Sequence, residues 1–130
     1  MNKRPALNVM VADDSATSRT YVRKNLMVAE IVVKDFVEAA NGQLALELLR
    51  EQPIDVLFVD IHMPVMNGIE LIRQLEIEGI KPRVKIVVIS SDHTLKRQDE
   101  LKDLGVTRYV KKPFTPEQFS KLIDEMFCGG

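Results

Sequence analysis

The chain has 130 residues, with 18 basic against 19 acidic side chains and a formal net charge of -1 at pH 7, so one domain spanning 1–130 is expected, too small to hold a separate effector module. Charges this balanced, with a pI near 6.1, lack the basic footprint of a nucleic-acid binder. The one cysteine, Cys128, excludes an intrachain disulfide and a multi-cysteine zinc site, and the apolar runs are strand-sized, so a cytoplasmic protein with no membrane insertion is expected.

The first predicted strand, Leu7–Ala12, runs straight into Asp13 and Asp14. A helix is predicted over residues 15–27, and an acid just before it can cap free N–H groups at the positive end of the helix dipole. That accounts for one acid. The second is repelled by the first and calls for another reason, most simply a cation held between oxygen ligands. On this stretch alone capping, cation binding and a paired-carboxylate site all stay open.

A second strand is predicted over 31–37 and, after the Asn41-Gly42 turn, a helix over 43–52. The third strand, Val56–Val59, ends on Asp60, and Asn67-Gly68 marks the turn into a helix over 69–78. The fourth strand, Lys85–Ser90, is followed by Ser91 and by a helix over 95–104 that Gly105 is placed to end. The fifth, over 108–111, leads to Lys112. In the last helix, Pro116–Phe127, the residues Phe119, Leu122, Ile123, Met126 and Phe127 make a core-facing stripe, Thr115 with Gln118 matches a capping box, and Pro116 suits the first helical position.

Three of the strands read as nearly continuous apolar runs, as in a parallel sheet buried on both faces. Five such β-α units predict an α/β fold, one doubly wound five-stranded parallel sheet with right-handed crossovers and helices on both faces. Functional groups then gather at the C-terminal ends of the strands, where this chain has Asp13, Asp14, Asp60, Ser90, Ser91 and Lys112.

Taken in order, the segments VADDS, VLFVDIHMPVMNG, VVISS and YVKKPF resemble those of a response regulator receiver domain, the phosphoacceptor half of two-component signalling, over essentially the whole chain. The resemblance implies the flavodoxin-like strand order 2-1-3-4-5, which is the order of chemotaxis-type receivers themselves. It implies a Mg2+ ion bound directly by Asp14 and Asp60, by Asp13 through water, and by the backbone carbonyl of His62. Asp60 would then be the phosphoacceptor, taking a phosphoryl group from a sensor histidine kinase or a phosphotransfer protein. Lys112 and Ser90 would meet the phosphoryl oxygens, and Ser90 with Tyr109 would form the switch. The face of the fourth helix, fifth strand and fifth helix, with Tyr109, Lys111 and Phe114, would meet a downstream protein target. The side chains of His62 and Asp92 would flank the path of the hydrolytic water and tune the phosphoryl lifetime, pairing across the site when His62 is protonated; the alternative is a solvent-facing His62 that contributes only its backbone carbonyl.

Two other classes are weighed against this switch. A phosphatase or phosphotransferase with an Asp nucleophile often has a second acid two residues on, where this chain has His62, and a substrate-covering cap, for which residues are lacking. A flavin protein of similar topology needs a Ser/Thr- and Gly-rich phosphate loop after the first strand, which here begins with two acids. A receiver that no longer takes phosphate is expected to have lost an acid or the lysine, and none is lost. A self-modifying switch is therefore expected, not an enzyme acting on a free substrate.

Overall fold

The computed structural model describes residues 5–92 and 94–127; Cys128 lies outside them. In chain order the elements are β1 (Leu7–Ala12), α1 (Ala16–Val28), β2 (Val33–Ala39), α2 (Gly42–Glu51), β3 (Val56–Val59), α3 (Gly68–Ile77), a 3-10 turn (Lys81–Arg83), β4 (Lys85–Ser90), α4 (Leu95–Asp103), β5 (Tyr109–Lys111) and α5 (Pro116–Phe127). The strands form one sheet in the order β2-β1-β3-β4-β5, with every neighbouring pair parallel.

Alternation along the central strands divides the apolar side chains between two cores. Leu7, Val9, Val11, Val56, Phe58, Val87, Ile89 and Val110 face α1 and α5, where Val22, Leu26, Phe119 and Ile123 complete the packing. Met10, Ala12, Leu57, Val59, Ile86 and Val88 face the other way, onto Leu46 and Leu49 of α2, Leu71, Ile72 and Leu75 of α3, and Leu101 of α4. Ser90 continues the second parity, and Tyr109 packs against that same core, so both point toward the α4 side.

The helix starts follow local chemistry. Ser15 caps α1, its hydroxyl accepting from the Ser18 N–H at 3.2 Å, so the cap expected of an aspartate is made by the residue after the pair. Asn41 caps α2 and Asn67 caps α3, the latter in a capping box closed by Glu70. At α5 half of the expected box forms. Gln118 Oε1 accepts from the Thr115 N–H at 2.8 Å, while the reverse bond runs from the Gln118 N–H to the Thr115 carbonyl oxygen at 3.2 Å.

Two of the boundary shifts have a visible cause. β2 begins two residues after the predicted start because Ile31 closes α1: its N–H donates to the Leu26 carbonyl at 3.0 Å, after Glu30 has turned the chain at φ +60°. α4 ends at Asp103, and Gly105, at φ +79°, donates its N–H to the Lys102 carbonyl. Phe114, expected on the partner face, is only 4 % exposed; its ring packs edge-on to Phe119 with centroids 4.8 Å apart, within the apolar α1/α5 core.

Candidate functional site

Because β1 and β3 are adjacent, Asp13 and Asp60 leave neighbouring strand ends. The Asp13 N–H donates to the Ala39 carbonyl oxygen of β2 at 3.0 Å, and the Asp60 N–H to the Ala12 carbonyl oxygen at 2.9 Å. The carboxylates of Asp13, Asp14 and Asp60 converge, each offering an oxygen within 4.8 Å of the others. Asp13 is 4 % exposed and Asp14 is exposed.

Lys112, following β5, crosses to this cluster, its Nζ 3.2 Å from Asp13 Oδ2 and 3.2 Å from Asp60 Oδ2. Burial opposes its charge, but the Asp60 and Asp13 carboxylates outweigh that and raise its pKa above the ordinary value. Burial pushes the Asp13 carboxyl up, against the lowering effects of the Ser15 N–H and Lys112, and Asp60 pushes it further up. At an effective dielectric of about 20, two unit charges ~5 Å apart repel by roughly 3 kcal/mol. Three acids give three such repulsions, solvent-screened where Asp14 takes part, and a single lysine does not cancel them. An all-oxygen donor set with surplus negative charge fits a hard divalent cation.

Gly68 fixes the loop after β3. Its N–H donates to the Ile61 carbonyl at 2.8 Å, and a Cβ there would lie 2.4 Å from the Asp60 carbonyl oxygen.

The second half of the site lies at the end of β4. The Ser90 side chain is 0 % exposed, and its Oγ accepts from the Asp92 N–H at 3.1 Å. Tyr109 is turned inward, its hydroxyl donating to the Asp92 carbonyl oxygen. Burial raises the Tyr109 pKa, although the Ser90 side chain lowers it.

His62 Nε2 lies 3.3 Å from Asp92 Oδ2, so the loops after β3 and β4 meet through these side chains. The Thr94 N–H bond lowers the Asp92 pKa to about 2; burial opposes it, and Arg97, the Thr94 hydroxyl and His62 add to it. Arg97 continues the chain of charges, with Nε 3.2 Å from Asp92 Oδ2 and Nη1 2.6 Å from Glu100 Oε1.

Asp13, Asp14, Asp60, His62, Ser90, Asp92, Tyr109 and Lys112 therefore lie at one end of the sheet, whereas Phe114 belongs to the α1/α5 core. Arg97 was not foreseen, because its contact depends on how the loop before α4 turns. Arg19 was missed too: its Nη1 donates to the Asp13 carbonyl oxygen at 2.6 Å and its Nε to Glu38 Oε1 at 2.9 Å. Its position one helical turn after the Ser15 cap is a readable signal for an arginine that reaches back over the loop.

Comparison with known proteins gives this arrangement its class. The family model described as response regulator receiver domain matches residues 9–124, and the chain belongs to that family. It is 28% identical over 125 residues to a chemotaxis protein CheY homolog of Campylobacter jejuni, covering 95% of each chain. It is 35% identical over 114 residues to a protein-glutamate methylesterase/protein-glutamine glutaminase of Rhodospirillum centenum, covering 86% of this chain but 28% of that protein. The structure of the chemotaxis protein CheY4 of Vibrio cholerae superposes with a TM-score of 0.81 at 27% identity, covering 95% of this chain and 100% of that one. Chemotaxis-type receivers are thus its relatives in sequence and in fold. They are signalling proteins of two-component systems, not enzymes on free substrates, and magnesium at the acidic cluster is expected of the family.

Proposed function

We propose that Asp60 accepts a phosphoryl group from a sensor histidine kinase or phosphotransfer protein and that its modification switches a protein-binding surface on the α4-β5-α5 face. The observation that carries this reading is the ammonium of Lys112 held 3.2 Å from both Asp13 and Asp60 inside a three-carboxylate cluster. Such a site concentrates acceptor oxygens for a cation and places a positive charge where phosphoryl oxygens would collect charge.

Asp60 supplies the nucleophile. One of its carboxylate oxygens bonds to phosphorus while the bond from phosphorus to the donor's imidazole nitrogen breaks, the electron pair leaving with that nitrogen. Lys112 exchanges its contact with the Asp60 carboxylate for one with a phosphoryl oxygen. The Ser90 hydroxyl, already inside the site, donates to another and draws its loop inward, and Tyr109 follows through Asp92, whose N–H is bonded to Ser90 and whose carbonyl is bonded to Tyr109. Asp13, Asp14 and Asp60, with the His62 backbone carbonyl, fit magnesium. When bound, magnesium neutralises charge on the transferring group.

His62 and Asp92, paired over the site, would limit the approach of in-line water and set the phosphoryl lifetime. Residues 1–130 are read as a receiver domain, and the family's signalling role supports a cytoplasmic location. Among the described residues no helix is long and apolar enough to cross a membrane.

The test is Asp60→Asn. Incubated with acetyl phosphate and magnesium, the variant is expected to gain no phosphoryl group while retaining weakened magnesium binding, since the amide keeps one oxygen ligand. Modification at the wild-type level would refute Asp60 as the acceptor.

A further inference from the structure

Arg19 ties the acid-bearing loop to the sheet, and no part of the phosphotransfer chemistry accounts for it. Asp13 is fixed at both ends of its backbone: its N–H donates to the Ala39 carbonyl oxygen of β2 at 3.0 Å, and its carbonyl accepts from Arg19 Nη1 at 2.6 Å. Arg19 is itself held by Glu38, the residue before Ala39, through the 2.9 Å bond from Nε to Oε1. The guanidinium thus joins α1, the β1-α1 loop and the end of β2. Asp13 Oδ1 meanwhile accepts from the Ser15 N–H at 2.9 Å, leaving Oδ2 toward Lys112 and the acid cluster. The loop that carries two of the three acids has its geometry set by this fork.

We infer that Arg19 is a positioning residue for the magnesium site, acting through the Asp13 backbone and anchored by Glu38. This rests on the reading that Asp13, Asp14 and Asp60 hold magnesium. Two effects of opposite sign compete. A guanidinium close to the cluster repels a divalent cation, so its removal tightens binding if its field dominates. Its hold on the loop fixes the carboxylates, so its removal weakens binding if geometry dominates. Arg19→Lys separates them, because it keeps the positive charge and loses the planar fork while Glu38 stays in place; the 2.6 Å bond from Nη1 to the Asp13 carbonyl oxygen favours geometry. Residues that orient metal ligands typically change metal affinity by about 10–100-fold when removed, and with the Ala39 bond still in place the lower end is expected.

The experiment is a magnesium titration of the whole chain, followed by amide chemical shifts, for wild type, Arg19→Ala, Arg19→Lys and Glu38→Ala, with a thermal melt of each. Arg19→Ala is expected to weaken magnesium by about tenfold. Arg19→Lys keeps the charge but has no planar fork, and it is expected to fall between, as is Glu38→Ala. A purely structural role would lower the melting temperature and leave the affinity of the folded protein unchanged. Unchanged or tighter binding by folded Arg19→Ala overturns the inference, and so does wild-type affinity in both Arg19→Lys and Glu38→Ala should Arg19→Ala not fold. Absence of magnesium binding by the wild type would instead overturn the metal site itself, a separate result.

Discussion

Val65 sits in the loop between Asp60 and α3 with φ +69° while its side chain is 80 % exposed. Left-handed backbone costs an L-residue about 1–2 kcal/mol through the clash of Cβ with the following carbonyl, and a β-branched side chain makes this worse. An exposed valine has little packing to offset that cost. Asparagine visits this region readily, so Val65→Asn is expected to stabilise the fold by about 1 kcal/mol, measured by urea unfolding. A lowered midpoint would show that the valine contributes something the backbone angle does not reveal. At Gly68, three residues on, the constraint is space and not angle: a side chain would collide with the Asp60 carbonyl oxygen at 2.4 Å. The same short loop thus tolerates strain at its tip and excludes any side chain where it crosses the end of β3.

Between elements, the α2 helix is tied to the end of α3 by Arg50, whose Nε and Nη2 donate to Glu78 at 2.7 and 2.6 Å. These bonds, with the Gln74 amide, hold the Glu78 carboxyl down to about 2 from its ordinary 4.5. A depressed carboxyl stabilises the fold fully above its unfolded value, and that contribution disappears as pH falls through the folded value. The pair is exposed and its effect small. The stability difference between wild type and Arg50→Ala is expected to hold above pH 4.5 and to shrink toward about pH 2. Equal differences in urea melts at about pH 6 and about pH 3 would contradict this assignment.

Element reading from the sequence succeeded where burial is continuous. β1, β3, β4 and α5 have the predicted limits because unbroken apolar runs or a complete stripe admit no shift. β2 is an edge strand with a mixed pattern of exposed and half-buried residues, and its start depends on how α1 closes, a tertiary fact. The positions of the acids, Lys112 and Ser90 were legible because strand ends place them, and that of Tyr109 only through the family resemblance. The inward turn of Tyr109, the burial of Phe114 and the fork made by Arg19 depend on side-chain geometry, which spacing does not encode.

At the scale of the whole molecule, the parallel sheet gathers the acids, Lys112 and Ser90 at one end, and alternation separates the proposed signal path from the scaffold. Phe58, Phe119 and Ile123 fill the α1/α5 side, while Ser90 and Tyr109 lie on the α4 side, linked through Asp92. On the proposed reading, a change at Asp60 would reach α4 and β5 through these residues and not through the aromatic core. Such a switch is a population shift between two packings and needs a modification that favours one of them. The most direct measurement of that modification is the intact mass of the wild-type protein after incubation with acetyl phosphate, with magnesium and with a chelator. A gain of one phosphoryl group in the presence of magnesium, and none with the chelator, is the predicted result; no gain in either condition, or an equal gain in both, would contradict a magnesium-dependent phosphoacceptor at Asp60.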